Sequence, residues 1–196
     1  SILGILKNPV FSSLFIIILV SSFGLQAFES IYSIMATINF GFTTNDIALV
    51  ITISGSLALI CQVFLFDWIV SKLGEMRLIQ LTFFVSATFI AVIAFTTSHL
   101  VVVLSTFVVF LSFDLFRPAV TTYLSKNGGN QQGAINGLNS TFTSFGNILG
   151  PLAAGSLFDL NHFYPYYVSA MILLGTGFLS LFLTNMTSKK LLLKKS

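Results

Sequence analysis

The sequence predicts an all-α membrane protein with six transmembrane helices. Three observations carry this. Charged residues make up 8% of the 196-residue chain and hydrophobic residues 55%, whereas soluble domains average about 25% charged. The charges gather in short clusters between long apolar runs. Each run is too long for a barrel strand and lacks strict alternation, and a helix needs about 20 residues to cross a hydrocarbon core of ~30 Å.

The first span is expected over 10–37. It is too long for the apolar region of a signal peptide and carries an acid, so it reads as a retained span. The segment NFGFTTND closes it, and the second span follows over 46–70. That span holds Cys61, the one cysteine of the chain. A single thiol makes neither a disulfide framework nor a metal site, and reads as a small core hydrophobe. SKLGEMR leads into the third span, 76–97. TTSH is so short that the third span and the fourth, 99–125, form a tight antiparallel hairpin. SKNGGNQQG precedes the fifth span, 131–158, and DLNHFYP the sixth, 163–187. The whole of 1–196 reads as one transmembrane domain.

Basic residues set the orientation. Lys7 precedes the first span, Lys72 and Arg77 lie between the second and third, and Lys126 lies between the fourth and fifth. Lys189, Lys190, Lys194 and Lys195 follow the sixth. The alternate loops contain no Lys or Arg. The positive-inside rule then makes the cation-bearing side cytoplasmic, with both termini there. The C-terminal lysines read as a stop signal that snorkels to lipid headgroups rather than as a specific lipid site.

Arg117 is the cation left inside a span, and Glu29 and Asp114 are the acids clearly inside spans. A charge at the bilayer centre costs roughly 2.5–3.5 kcal/mol on insertion scales, so such residues face a partner or a watery cavity. Asp114 and Arg117 stand one turn apart and are expected to pair. Glu29 has no such partner on its own helix. Polar residues also form stripes. Ser22, Gln26, Glu29 and Ser33 line one face of the first helix. Phe107, Phe110, Asp114, Arg117 and Thr121 line one face of the fourth, and Asn136, Asn139, Thr143 and Asn147 one face of the fifth. Such stripes either glue helices together or line a shared cavity. The ionisable residues favour a cavity.

Several functions are disfavoured. The net charge is only +3, and the cations sit at span ends rather than in a patch, so no nucleic-acid role is expected. His99 and His162 lie at outer helix ends, and no nucleophile stands beside a base. Neither a metal, a cofactor nor an enzyme activity is expected.

The fifth helix reads GLNSTFTSFGNILGPLAAG. Gly137 and Gly146 enclose eight residues; Gly150, Pro151, Ala154 and Gly155 follow. Small residues at near-helical spacing admit a neighbouring helix closely, and Pro151 removes a backbone hydrogen bond. The pattern resembles the antiporter motif of the major facilitator superfamily, G-x8-G-x3-G-P-x2-G-G, with Ala154 in place of one glycine. The loop DWIVSKLGEMR, with Asp67, Gly74 and Arg77, resembles a degenerate copy of that family's cytoplasmic gating loop. Six helices with cytoplasmic termini match the C-terminal half of the two-half fold, with the first half absent. The segments GLQAFESIYSI, FDLFRPAVTTYLS and GLNSTFTSFGNILGPLAAGSLFD resemble the bacterial multidrug efflux pumps of the NorA/Bmr type over nearly the whole chain.

That resemblance implies a drug:proton antiporter of the bacterial cell membrane. Glu29 and Asp114 correspond to its proton-coupling carboxylates, and Arg117, Tyr32, Phe110 and Asn147 to its cavity lining. Gln26, in the first polar stripe, is placed with them as substrate-binding. Gly137, Gly146, Gly150, Pro151 and Gly155 would form the conformational motif. Expected partners are membrane lipid, protons, amphipathic cationic or zwitterionic drugs such as fluoroquinolones and dyes, and the N-terminal six-helix half. Glu29 is expected to be the main proton carrier and Asp114 to set the field for cations. Alternatives are a proton-coupled uptake symporter of the same fold and a membrane scaffold without transport activity.

Overall fold

A computed structural model describes the backbone of residues 2–193 and the side chains of 2–185. The side chains of Lys189, Lys190, Lys194 and Lys195 therefore lie outside the described residues. Every regular element among the described residues is a helix. The elements are α1 (Ile2–Lys7), α2 (Pro9–Phe40), α3 (Thr44–Ile60), a π-helical turn (Cys61–Leu65), α4 (Phe66–Leu73), α5 (Glu75–Phe95), α6 (His99–Asn127), a 3-10 turn (Gly129–Gln131), α7 (Gln132–Leu160) and α8 (Tyr164–Leu193).

Local chemistry sets the boundaries. Asn8 caps α2, its side-chain oxygen accepting from the Val10 N–H at 3.0 Å, with Pro9 in the first turn. The missing N–H of Pro9 costs nothing there, because the first helical N–H groups have no intrahelical acceptor. Gly41 closes the helix at φ 66°. Thr43 and Asp46 then form a capping box: Thr43 Oγ1 accepts from the Asp46 N–H at 3.2 Å, and Asp46 Oδ2 accepts from the Thr43 N–H at 2.8 Å. The second span therefore begins at Thr44, before the expected 46. Replacing Thr43 with alanine removes one half of this box, which typically costs about 1 kcal/mol. Thermal unfolding of the purified protein should show a lower midpoint for Thr43→Ala.

Among the described residues, five helices are long and apolar enough to cross a membrane: Pro9–Phe40, Thr44–Leu73, Glu75–Phe95, His99–Asn127 and Tyr164–Asn185. The 29-residue α7 reaches about 43 Å at ~1.5 Å per residue, yet its composition is too polar to join that set. Asn136, Asn139, Thr143 and Asn147, with its glycines, are the reason. The second span is also interrupted. A π turn over Cys61–Leu65 separates α3 from α4, and Leu65 leaves ordinary helical geometry at φ −113°.

α2 packs most extensively on α7, and α5 on both α6 and α8, while α2 also meets α8. The core contains Phe15, Phe28, Met35, Phe83, Ile90 and Leu173, all fully buried. α3 packs chiefly on α6. Its apolar side chains, with those of the π turn, stand largely exposed, Leu59, Val63 and Phe64 among them. An apolar outer surface is expected where the solvent is lipid.

Candidate functional site

The polar stripes of α2, α6 and α7 meet along a groove of about 360 Å³. Its walls include Ser22 and Gln26 from α2, Arg117 and Thr121 from α6, and Asn139, Thr143 and Asn147 from α7. Ile18, Leu25, Phe116 and Val120 supply apolar floor. The arrangement combines apolar contact with amide, hydroxyl and guanidinium groups, the usual make-up of a small-molecule site.

An ion pair lies at one end of the groove. Arg117 Nη2 stands 3.5 Å from Glu29 Oε2, one turn above Gln26. The expectation that Arg117 would pair with Asp114 on its own helix is corrected in part: the guanidinium still acts on Asp114 through its charge, but its ion-pair contact is elsewhere. The long guanidinium side chain reaches across to α2, and the ion pair recorded for it is with Glu29. Arg117 stays 59% exposed and Glu29 35%; Arg117 lines the groove, and Glu29 stands beside it. Glu29 thus has a cation partner, supplied by another helix.

Asp114 is half-buried next to this pair. Its backbone carbonyl is a special position, because Pro118 lies four residues on, inside α6. Proline has no N–H, so the ordinary helical bond back to residue 114 cannot form. Gln62, in the π turn, fills the gap: its Nε2 donates to the Asp114 carbonyl at 2.7 Å.

The aromatic candidates occupy a neighbouring cluster. Phe28 sits at its centre, with ring centroids 6.2 Å from Phe110, 5.9 Å from Phe113 and 4.9 Å from Tyr166. Tyr32 is only 2% exposed, donates its hydroxyl to Thr106 at 3.1 Å and packs edge-on against Phe110 at 5.5 Å. Neither Tyr32 nor Phe110 lines the groove. Tyr32 is buried, whereas Phe110 is partly exposed.

The glycines of α7 divide into two kinds. A Cβ on Gly146 would lie 2.7 Å from the Phe23 nitrogen and 2.8 Å from the Leu19 oxygen. A Cβ on Gly150 would lie 2.7 Å from the Phe23 oxygen and 3.0 Å from the Ala27 nitrogen. These two glycines let the backbones of α2 and α7 touch, which closes one side of the groove. Gly137 and Gly155 face open space, with nothing within 4 Å. Pro151 lies inside α7, four residues after Asn147, and so denies the Asn147 carbonyl its helical partner.

The family model of the Major Facilitator Superfamily matches residues 14–195. The chain belongs to the major facilitator superfamily. It is 47% identical to "Multidrug resistance protein 2" of Bacillus subtilis (strain 168), over 85% of this chain and 42% of that protein. It is 44% identical to "Multidrug resistance protein 1" of the same organism, over 84% of this chain and 42% of the relative. It is 39% identical to "Quinolone resistance protein NorA" of Staphylococcus aureus (strain Mu50 / ATCC 700699), over 82% of this chain and 41% of the relative. The chain thus spans well under half the length of these curated relatives.

In this superfamily member the loop between the second and third spans bends at Gly74, φ 80° and ψ 155°. Asp67 in α4 and Arg77 in α5 are both exposed and take part in neither of the two ion pairs among the described residues. The pair at this end joins Glu75, the first residue of α5, to Lys126 near the end of α6. Sequence reasoning missed Glu75, Gln62 and Thr106. Gln62 carried a signal, a lone amide in the apolar run ICQVFLF. Among the described residues no three His, Cys, Asp or Glu side chains cluster for a metal.

Proposed function

We propose that this chain is the C-terminal six-helix half of a proton-coupled multidrug exporter of the bacterial cell membrane, with both termini cytoplasmic. The observation that supports this best is the groove with the Glu29–Arg117 pair at its end. The likeness to proteins named for multidrug and quinolone resistance supports drug export; the substrates of this reading are amphipathic cations and zwitterions, including fluoroquinolones and ethidium-type dyes.

The chemistry rests on exclusive occupancy. The Glu29 carboxylate can be held by the Arg117 guanidinium, by a proton, or by a cationic drug, and each displaces the others. A proton taken by Glu29 frees Arg117 and removes the negative charge that retains the drug. Asp114 keeps a second acid beside the pair and adds to the attraction for cations. Gln26 and Asn147 give orienting hydrogen bonds, and Phe110, supported by Tyr32, offers an aromatic face for apolar and cation–π contact. Gly137, Gly146, Gly150, Pro151 and Gly155 form the conformational motif of α7, which would move together with α2. Asp67, Gly74 and Arg77 belong to the cytoplasmic gate. An N-terminal six-helix half and membrane lipid complete the machine, since alternating access requires two halves rocking about a central site.

The test is ethidium export from bacterial cells expressing the complete reading frame that encodes this chain. Export that stops on adding a protonophore is the expected result. Cells that retain dye as vector controls do, yet take up a sugar or amino acid, would overturn the efflux reading. Proteoliposomes holding the 196-residue chain alone should not transport dye. Robust transport there would overturn the half-transporter reading.

A further inference from the structure

We infer that Gln62 is a positioning residue: it supplies the hydrogen bond that Pro118 denies to the Asp114 carbonyl, and so holds Asp114 and Arg117 in register with Glu29. The inference rests on the proposed transport role of those three side chains, but its central contact does not.

The geometry is specific. A proline at position 118 leaves the carbonyl four residues earlier without its helical donor, and that carbonyl belongs to Asp114. In a bilayer core no water can replace the donor, so the backbone group must be satisfied by protein. Gln62 Nε2 donates to it at 2.7 Å, from a different span. The π turn over Cys61–Leu65, which continues α3, also contacts α6. π turns hold one more residue per hydrogen-bonded turn than the α-helix and recur at functional sites. Gln62 itself is exposed beside Val63, Phe64 and Leu65, which are exposed and apolar. A primary amide among such neighbours is costly in lipid unless it is engaged. The amide and the carbonyl thus satisfy each other, and each would be a liability alone.

The consequence concerns the segment Asp114–Arg117. A proline gap leaves α6 free to bend just where its acid and its guanidinium lie. A donor bridging from the second span fixes that bend. Arg117 must reach Glu29 on α2, and a change in the bend alters that reach. Gln62 thereby ties the second span to the ion pair without touching either charged group.

The experiment is a mutant cycle in the complete reading frame. Gln62→Leu keeps size and removes the donor; Gln62→Asn keeps the amide but shortens the reach, and serves if the leucine variant folds poorly. Pro118→Ala restores an N–H at position 118. Gln62→Leu is expected to slow ethidium export about tenfold, the scale of one unmade hydrogen bond to a buried group, and to displace the pH profile of export. On the Pro118→Ala background the same change should cost less than about twofold. Equal losses on both backgrounds would show that the carbonyl is not what Gln62 serves, and overturn the inference. A loss of export with an unchanged pH profile would reduce Gln62 to a purely structural contact, and overturn it too. If even the unsubstituted protein exports no dye, the transport reading fails by itself. Melting temperatures of the same four proteins still decide the hydrogen bond: rescue of Gln62→Leu by Pro118→Ala supports it, and additivity refutes it.

Discussion

Gly150→Val is expected to melt far below the unsubstituted protein and to lose the groove. The position has no room: an added Cβ would meet the Phe23 oxygen at 2.7 Å and the Ala27 nitrogen at 3.0 Å, both backbone atoms of α2. A neighbouring side chain could rotate away, but backbone cannot, so α2 and α7 must separate along their largest contact. Overpacking in cores commonly costs about 1–3 kcal/mol, and a β-branched side chain against backbone belongs at or above the top of that range. Gly146→Val should behave alike, for the same reason. Gly137→Ala and Gly155→Ala are the controls. Both face open space, and alanine is better than glycine in a helix interior by up to about 1 kcal/mol. These two variants should be unchanged or slightly more stable. Thermal melting of the purified protein in detergent checks the set. Equal midpoints for Gly150→Val and Gly155→Ala would refute the backbone contact.

Glu29→Gln is expected to bring proton-driven dye export to background. The amide keeps the size of the side chain but can neither bind nor release the proton. It also strips Arg117 of its carboxylate at 3.5 Å. The cost of an unpaired guanidinium therefore falls on this substitution, and Asp114→Asn, which keeps the Glu29–Arg117 pair, should be the milder change in stability. Both partners are partly exposed, so the pair couples by about 1 kcal/mol rather than by the larger figures for buried ions. The double variant Glu29→Gln/Arg117→Leu should recover that amount over the sum of the single changes. Export assays and melting curves on Glu29→Gln, Arg117→Leu, their double variant and Asp114→Asn measure both effects. Normal proton-driven export by Glu29→Gln would remove Glu29 from the mechanism.

What the sequence displayed was whatever periodicity and composition express. Apolar runs located the long helices, and the stripes marked the three helices that wall the groove: Ser22, Gln26, Arg117, Thr121, Asn139, Thr143 and Asn147 line it, whereas Glu29, Phe110 and Asp114 do not. The α7 glycine pattern pointed to close helix approach, although spacing alone could not separate Gly146 and Gly150, which touch α2, from Gly137 and Gly155, which do not. Distances between helices were invisible. One-turn spacing favoured an Asp114–Arg117 pair, and nothing in a linear pattern says that a long guanidinium side chain will cross to Glu29. The π turn was hidden for a related reason, since an extra residue in one turn leaves composition unchanged. The capping box at Thr43 and Asp46 was readable, because a Thr followed three residues later by an acid is a helix-start signature. The early start of the second span follows from it. Tyr32 was placed by likeness to a cavity-lining position, and the burial of its ring beside Phe28 depends on α6 and α8, which a single helix cannot report.

The contact between α2 and α7 also has a mechanical side. Gly146 and Gly150 bring main chain against main chain, and main chain in a helix yields little. On the α6 side the groove is bounded by Phe116, Val120, Thr121 and the one long, jointed side chain, Arg117, on a helix that carries a proline. The groove therefore resembles a vice with one fixed jaw and one sprung jaw. Molecules of different girth would be accommodated by travel of the sprung jaw alone, and the fixed jaw would keep the same reference edge for all of them. Tolerance of many shapes would then need no general softness of the protein, only compliance confined to one helix.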